Sequence, residues 1–166
     1  MGIPTPKRAA DSVTEMVQVV LPNDANPLGF ILGGTVMHLI DIAGAIAAIR
    51  HARTPMVTAA VDDLQFLQPI KVGDLIVLRA YVTCTFTTSL EVQVDVHSEE
   101  ALSGRRQLTS RAFLTFVAIG PDGAKVPVPS LIVESEGARQ VCREAEARRA
   151  ARLEKKRGLE PTTRLP

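Results

Sequence analysis

The sequence predicts a single α+β domain in which one antiparallel sheet curls around one long helix. The chain has 166 residues, of which 46% are hydrophobic, enough for one core. A long apolar segment early in the chain has helix composition, and strand-like segments joined by short turns follow it. A helix that is apolar on every side must be covered on every side, which a curled sheet achieves.

The elements follow in the order strand, helix, four strands. Residues 14–21 mix β-branched and polar side chains, which favours a strand, and residues 22–34 form a loop rich in Pro, Asn and Gly. Residues 34–50 consist mainly of small and aliphatic residues, which indicates a helix about 25 Å long. The later strands are predicted at residues 56–66, 74–85, 89–97 and 108–119. Alternation from residue 89 to 97 predicts one apolar and one polar face there.

The apolar segment at residues 28–49 is long enough to be mistaken for a membrane span. His38 and Asp41 near its middle, together with four glycines, argue against that interpretation. The formal net charge is only +1, with 19 Lys and Arg against 18 Asp and Glu. We therefore expect neither a membrane nor a nucleic acid as partner.

Residues 134–158 are rich in Ala, Glu, Arg and Lys, which predicts a mostly solvated helix supported by pairs such as Glu144 with Arg148. This divides the chain into an N-terminal tail (1–12), a core domain (13–133) and a charged C-terminal helix and tail (134–166). Cys84 and Cys142 are too few for a disulfide framework, and the N-terminus lacks a signal-like apolar run. We expect a cytoplasmic location and free thiols.

Asp41 is the one acid in the apolar helix, and it needs either a hydrogen-bonding partner or a chemical role. His38 lies three residues earlier on the same helical face, so a structural His–Asp pair is one alternative. A general acid or base in an apolar pocket is the other.

Gly33 and Gly34 open the predicted helix, where free backbone N–H groups favour a carbonyl or phosphate oxygen. Gly34 and Asp41 are separated by about 10.5 Å along a helix axis, too far for both to contact one carbonyl. If both act on one reacting centre, they come from different protomers. Asn26 in the preceding loop is either a loop cap or a donor to an oxyanion.

The chain resembles the acyl-CoA thioesterases of the hotdog superfamily, especially the brain-type acyl-CoA hydrolase group. The motifs that carry the resemblance are DAN at 24–26, GF-x-x-GG at 29–34, L-I-D-x-A-G at 39–44, RH at 50–51, and the stretches 57–74, 85–94, 115–117 and 126–131. The position before the glycine pair, usually His or Phe in that group, is Leu32 here. The resemblance implies a hotdog fold and a double-hotdog dimer, commonly three dimers to a hexamer. It also implies that Asn26 and Asp41 form the catalytic pair, contributed by facing protomers.

From these observations we expect hydrolysis of fatty acyl-CoA to free acid and CoA. Asp41 acts as base or nucleophile, and Asn26 with a helix N-terminal amide of Gly33 or Gly34 polarises the thioester. Candidate residues for the CoA phosphates are Thr88, Ser89, Arg50, Arg53 and Lys71. We expect no cofactor, and no metal because the three histidines show no ligand spacing. The alternatives are an acyl-thioester hydratase or dehydratase, and a non-catalytic acyl-CoA-binding protein.

Overall fold

The computed structural model describes residues 4–158 and confirms a sheet wrapped around one helix. The strands and helices in chain order are β1 (Lys7–Arg8), β2 (Thr14–Val19), α1 (Gly33–Ala52), β3 (Met56–Phe66), β4 (Leu75–Thr85), β5 (Ser89–Glu99), β6 (Arg106–Ala118), β7 (Leu131–Ile132) and α2 (Glu136–Arg157). The predicted strand at residues 56–66 has the observed bounds, and the ends of the other predicted elements agree to within two residues.

The main sheet has five antiparallel strands in the order β2-β4-β5-β6-β3, so β2 and β3 form its edges. A second, two-stranded sheet joins β1 in parallel to β7. The strand β3 is irregular, since its pairing with β6 shifts between Thr58 and Ala60 and again between Val61 and Asp63. Such bulges bend a strand and change which side chains share a face.

The helix α1 fills the concave side of this sheet, which we call the inner face. Ala43, Ala47 and Ala48 are fully buried, because small side chains let the helix lie close to the strands. The closest approach is at Gly44, where a β-carbon would lie 3.1 Å from the ring of Phe116 on β6. By length and composition α1 would also pass for a membrane-crossing helix, but here it is the central helix of the domain.

The helix α2 lies on the opposite, outer face of the sheet, where the prediction of a solvated tail is only partly right. Most of its residues are exposed, but Ala145 is fully buried. Arg148 makes two hydrogen bonds to Glu91 of β5, of 3.0 and 2.8 Å, instead of the predicted pair with Glu144. Glu91 is therefore buried although it lies on the polar face of an alternating strand.

The expectation of free thiols is wrong. Cys84 of β4 and Cys142 of α2 form a disulfide that closes a loop of 58 residues. The sequence separation hides this pairing, because only the packing of α2 on the sheet brings the two sulfur atoms together. Among residues 4–158, Glu146 is the one other potential metal ligand beside these sulfurs, and disulfide sulfurs offer no thiolate to a metal.

Candidate active site

Asn26 is held in the loop before α1 by hydrogen bonds on one side of its amide. Its side-chain Oδ1 accepts from the backbone N–H of Leu28 at 3.0 Å and of Phe30 at 3.3 Å. Its own backbone N–H donates to the carbonyl of Phe30 at 2.8 Å. With Oδ1 engaged in this way, the Nδ2 hydrogens are the donors that the side chain can offer to a ligand oxygen.

Beside Asn26 lies a cavity of about 290 Å³ at the beginning of α1. Phe30, Val36, Phe66 and Gly33 contribute to its wall, so a mostly apolar surface meets the Asn26 amide and a helix N-terminus. This combination suits an apolar chain that carries a polarised carbonyl.

The first turn of α1 carries no side-chain cap, because the residue before it is Leu32. Its first N–H groups consequently lack the acceptor that Ser, Thr, Asp or Asn would supply. A β-carbon on Gly33 would lie 3.4 Å from the ring of Phe66, and one on Gly34 would meet nothing within 4 Å. The helix start is thus open to an incoming oxygen at Gly34 and bordered by an aromatic ring at Gly33.

Asp41 lies on α1 where the helix faces the edge strand β3. The hydroxyl of Thr58 donates to Oδ1 of Asp41 at 2.7 Å. The carboxylate is half-buried, and Thr58 is exposed. The alternative partner, His38, is exposed, and within residues 4–158 no hydrogen bond joins it to Asp41. The acid therefore has its hydrogen-bonding partner on the sheet rather than on its own helix.

The edge strand leaves this part of the site open on one side. Among the described strands, β3 pairs with β6 alone, and its side chains Val57 and Val61 are 49% and 47% exposed. A long edge strand with exposed aliphatic side chains is a surface to which another strand can add. Asp41 and Thr58 lie at this surface.

One chain does not bring the two predicted catalytic residues together. Asn26 and Gly33 share the cavity, but Asp41 is not among its lining residues. Asp41 lies eight residues into α1, which corresponds to about 12 Å along the axis. The separation expected from sequence spacing therefore holds in the folded chain.

The candidate CoA-binding residues lie at two ends of the molecule. Arg53 ends α1 with a positive φ of 54°, and Arg50 donates to the carbonyl of Val13 at 2.9 Å. Thr88 and Ser89 lie at the turn between β4 and β5, where the carbonyl of Thr88 accepts from Ala118. Lys71 lines a separate polar cavity of about 240 Å³. Their role in binding CoA stays a prediction.

Thr58 is the functional candidate that the sequence interpretation missed. It lies within the stretch 57–74 that carried the resemblance, but the alternation of β3 is broken by its two bulges. Which of its side chains faces α1 is therefore not readable from a period of two. The one signal in the sequence is that Thr58, a small residue with a hydroxyl group, lies in the strand that directly follows the helix of Asp41.

The fold and the site together define a hotdog protein whose acidic centre lies at an open sheet edge. Residues 28–104 match the model of the Thioesterase superfamily. The chain is 39% identical over 136 residues to the uncharacterized acyl-CoA thioester hydrolase of Bacillus subtilis, covering 82% of this chain and 79% of that one. It is 32% identical over 157 residues to the human cytosolic acyl coenzyme A thioester hydrolase, covering 93% of this chain and 41% of the human one.

Solved structures agree. A hexameric acyl-CoA thioesterase superposes with a TM-score of 0.86 at 38% identity, over 92% of this chain and 97% of the other. The acyl-CoA hydrolase of Staphylococcus aureus, in complex with butyryl coenzyme A, coenzyme A and coenzyme A disulfide, superposes with a TM-score of 0.83 at 32% identity, over 92% and 96%. Variants of that hydrolase with an Asp, an Asn or a Thr replaced by Ala have also been solved. The chain belongs to the thioesterase superfamily. Its relatives are named as hydrolases, and it is an enzyme of that kind.

Proposed function

We propose that this enzyme hydrolyses fatty acyl-CoA at sites shared between two copies of the chain, each built from Asp41 of one copy and Asn26 of the other. The observation that carries the proposal is the position of Asp41. It is bound by Thr58 at an open sheet edge, whereas Asn26 of the same chain lies in the loop before α1, beside the cavity. The expected partner is therefore a second copy added at β3.

The run of β3 beside α1 supports this arrangement. Near the beginning of β3, Thr58 is hydrogen-bonded to Asp41. At its end, the ring of Phe66 lies next to Gly33, beside the Asn26 cavity. If two copies of β3 pair antiparallel about residue 61, the middle of the strand, Thr58 of one copy lies opposite Leu64 of the other. That position is two residues from Phe66, so the cavity of one copy comes close to Asp41 of the other.

The positions changed in the S. aureus variants also support the residue assignment. In that hydrolase the substituted Asn precedes the substituted Asp by 15 residues, and the substituted Thr follows it by 17. Asn26, Asp41 and Thr58 have the same spacing in this chain. We therefore include Thr58 as a positioning residue for Asp41.

In the proposed reaction, the thioester carbonyl oxygen accepts hydrogen bonds from Nδ2 of Asn26 and from the N–H of Gly34. Asp41 either removes a proton from water that attacks the carbonyl carbon, or attacks that carbon itself to form a mixed anhydride that water then cleaves. Either way the C–S bond breaks, CoA leaves as the thiol and the fatty acid is released. Label found in Asp41 after single-turnover hydrolysis in heavy-oxygen water would establish the anhydride route, because water oxygen enters this carboxylate only by attack on the anhydride at the Asp41 carbon.

CoA binding is proposed to use the cations at the end of α1, with Arg53 foremost. Arg53 lies twelve residues beyond Asp41, or about 18 Å along the helix. An extended pantetheine arm spans a distance of that order, so the thioester and the phosphates would occupy the two positions together. Arg50, Lys71, Thr88 and Ser89 are the further candidates. Assembly of three dimers into a hexamer is supported by the hexameric thioesterase, and a cytoplasmic location by the human enzyme's name.

The basic test is thiol release from a panel of acyl-CoA substrates, followed with a disulfide reagent that reports free CoA. We expect turnover for the wild type and a loss of at least about 100-fold in kcat for Asp41→Asn. Binding of acyl-CoA without thiol release would instead indicate the non-catalytic alternative. Full turnover by His38→Ala would exclude a hydratase-like His–Asp pair as the working centre.

Mixing two inactive variants tests whether the site is shared. In a heterodimer of Asn26→Asp and Asp41→Asn chains, a site shared across copies retains one intact pair out of two. A site confined to one chain retains none. Co-expression with two affinity tags should therefore restore close to half of the wild-type activity per dimer. The absence of any restoration in purified heterodimers would contradict the shared site.

A further inference from the structure

The outer helix α2 is connected to the edge strand that carries Thr58. The guanidinium group of Arg152 on α2 forms an ion pair with Asp62 of β3. Both side chains are largely buried, at 22% and 11% exposure. Asp62 also accepts from the hydroxyl of Thr115 on β6 at 3.5 Å. This ion pair therefore lies between the outer helix, the edge strand and its neighbour.

Asp62 lies at an irregular point of β3. It lies in the second bulge of the strand, between Val61 and Asp63, where the pairing with β6 is interrupted. A bulged residue has no regular ladder partner, so its side-chain contacts decide the local conformation. Asp62 is also next to the strand's midpoint, where the proposed pairing of two copies is centred.

The same strand contacts Asp41, the proposed base or nucleophile, on its other side. Thr58 lies four residues before Asp62 and donates to Asp41 at 2.7 Å. A change in the path of β3 at Asp62 therefore moves the Thr58 hydroxyl. It also moves the part of β3 that is proposed to pair with β3 of the second copy. Small displacements of this kind are sufficient to reduce the rate of an enzyme strongly.

We propose that Arg152 is a positioning residue for hydrolysis: by binding Asp62 in the bulge, it sets the path of β3 and thereby the Thr58–Asp41 contact at the shared site. This inference rests on the proposed function. It concerns the outer face of the sheet, which the reaction itself does not touch.

The other arginines of α2 have different partners, which makes them suitable for comparison. Arg148 binds the buried Glu91 in the middle of the sheet and lies 3.7 Å over the ring of Phe113. Arg149 stacks 4.6 Å over the ring of Phe86, next to the turn between β4 and β5. Only Arg152, among the described arginines of α2, forms an ion pair with β3.

The experiment compares Arg152→Ala with the matched control Arg149→Ala, which removes the same charge from the same helix. Steady-state kinetics with one acyl-CoA substrate should show kcat lowered about tenfold in Arg152→Ala, with KM nearly unchanged because Arg152 does not contact substrate. Arg149→Ala should keep the wild-type kcat, and Arg152→Lys should recover most of it. All variants and the wild type are assayed at a protein concentration at which light scattering gives them the same assembly mass.

A second measurement does not depend on activity. Hydrogen exchange of peptides covering residues 56–66 should be faster in Arg152→Ala, while peptides covering β4 and β5 should exchange as in the wild type. If Arg152→Ala does not fold, Asp62→Asn replaces it, with the same expected loss in kcat and the same faster exchange in β3.

The outcomes separate the two proposals. Unchanged exchange in β3, or an equal loss of kcat in Arg149→Ala, overturns the role of Arg152 even if the enzyme hydrolyses acyl-CoA normally. A wild type that releases no thiol overturns the proposed function, and the exchange experiment alone then decides whether Arg152 sets the path of β3. Non-additive effects of Arg152→Ala and Thr58→Ala in a double-mutant cycle would support a shared route to Asp41.

Discussion

The hydroxyl of Thr58 lies 2.7 Å from Oδ1 of Asp41, and this single hydrogen bond joins the central helix to the edge strand. It holds the carboxylate in one orientation and leaves Oδ2 for water or substrate. A lone acid on a helix that is otherwise apolar is thus directed by a residue of the sheet. The orientation of the Asp41 carboxylate consequently depends on the path of β3.

We predict that Thr58→Ala lowers kcat by about tenfold, because the Asp41 carboxylate is then no longer held in one orientation by the Thr58 hydroxyl. Thr58→Ser keeps the hydroxyl and should retain most of the activity. Since Thr58 is exposed in the chain, the free energy of unfolding should change little. Steady-state kinetics and urea unfolding of the three proteins check this, and equal kcat values for Ala and Ser would contradict the positioning role.

Asn26→Asp tests the donor role of Nδ2 separately from the acceptor role of Oδ1. An aspartate keeps an oxygen that accepts from Leu28 and Phe30, so the loop should retain its conformation. It lacks the Nδ2 hydrogens, and losing one oxyanion donor typically costs about 10²–10³ in kcat. We expect that loss with unchanged thermal stability. The control Asn23→Asp makes the same change on an exposed residue of the loop and should be fully active.

Most of the fold was predictable from the sequence because its signals are local. The all-apolar segment of α1 requires a cover, and the alternation in β5 places Leu90, Val92, Val94 and Val96 on the inner face, where each is fully buried. The separation of Gly34 from Asp41 followed from helix rise alone. These inferences need only the periods of helix and strand.

The remaining features depend on contacts between segments far apart in sequence. The binding of Arg148 to Glu91 and the Cys84–Cys142 disulfide arise because α2 lies on the outer face, and no periodicity in a charged helix indicates that. Thr58 faces Asp41 on a strand whose bulges break the alternation. Local patterns predict elements, whereas these contacts require the packed structure.

Arg53→Gly tests the strained end of α1. Arg53 has a φ of 54°, a left-handed conformation that is unfavourable for side chains with a β-carbon and suits glycine. The substitution should stabilise the fold by about 1 kcal/mol. If Arg53 binds CoA phosphates, KM for acyl-CoA should rise at the same time while kcat is kept. Thermal unfolding and steady-state kinetics measure the two effects, and a more stable enzyme with unchanged KM would remove Arg53 from the CoA site.

Removing the disulfide should loosen α2 and lower stability. A cross-link that closes a 58-residue loop is worth about 4 kcal/mol by the chain-entropy relation. We expect Cys142→Ser to lower the free energy of unfolding by about 2–4 kcal/mol. Titrating free thiols in the denatured wild type should give none without reductant and two with it. Two free thiols without reductant in freshly prepared protein would contradict the disulfide, which is uncommon in cytosolic proteins.

His51 should make the stability of the fold depend on pH. Its side chain is fully buried, Nε2 donates to the carbonyl of Pro129 at 3.0 Å, and Nδ1 has no hydrogen-bonding partner among the described residues. Burial lowers the pKa of His51, and this outweighs the hydrogen bond to Pro129, which raises it. The nearby Lys7 adds to the lowering, while Asp11 acts in the opposite direction. Protonation would create a second buried N–H without an acceptor.

Because the pKa of His51 is lower in the folded chain than in the unfolded one, the unfolded chain takes up this proton first as the pH falls. The stability from neutral His51 is complete above pH of about 6.5 and is lost below it, by up to about 1.4 kcal/mol per pH unit. Urea unfolding at about pH 7.5 and about pH 5.5 should show this loss in the wild type. His51→Gln, which keeps an amide donor but does not titrate, should lose less, whereas the exposed His38→Gln should behave like the wild type. A difference between wild type and His51→Gln that stays constant over this range would show that His51 does not control the pH dependence.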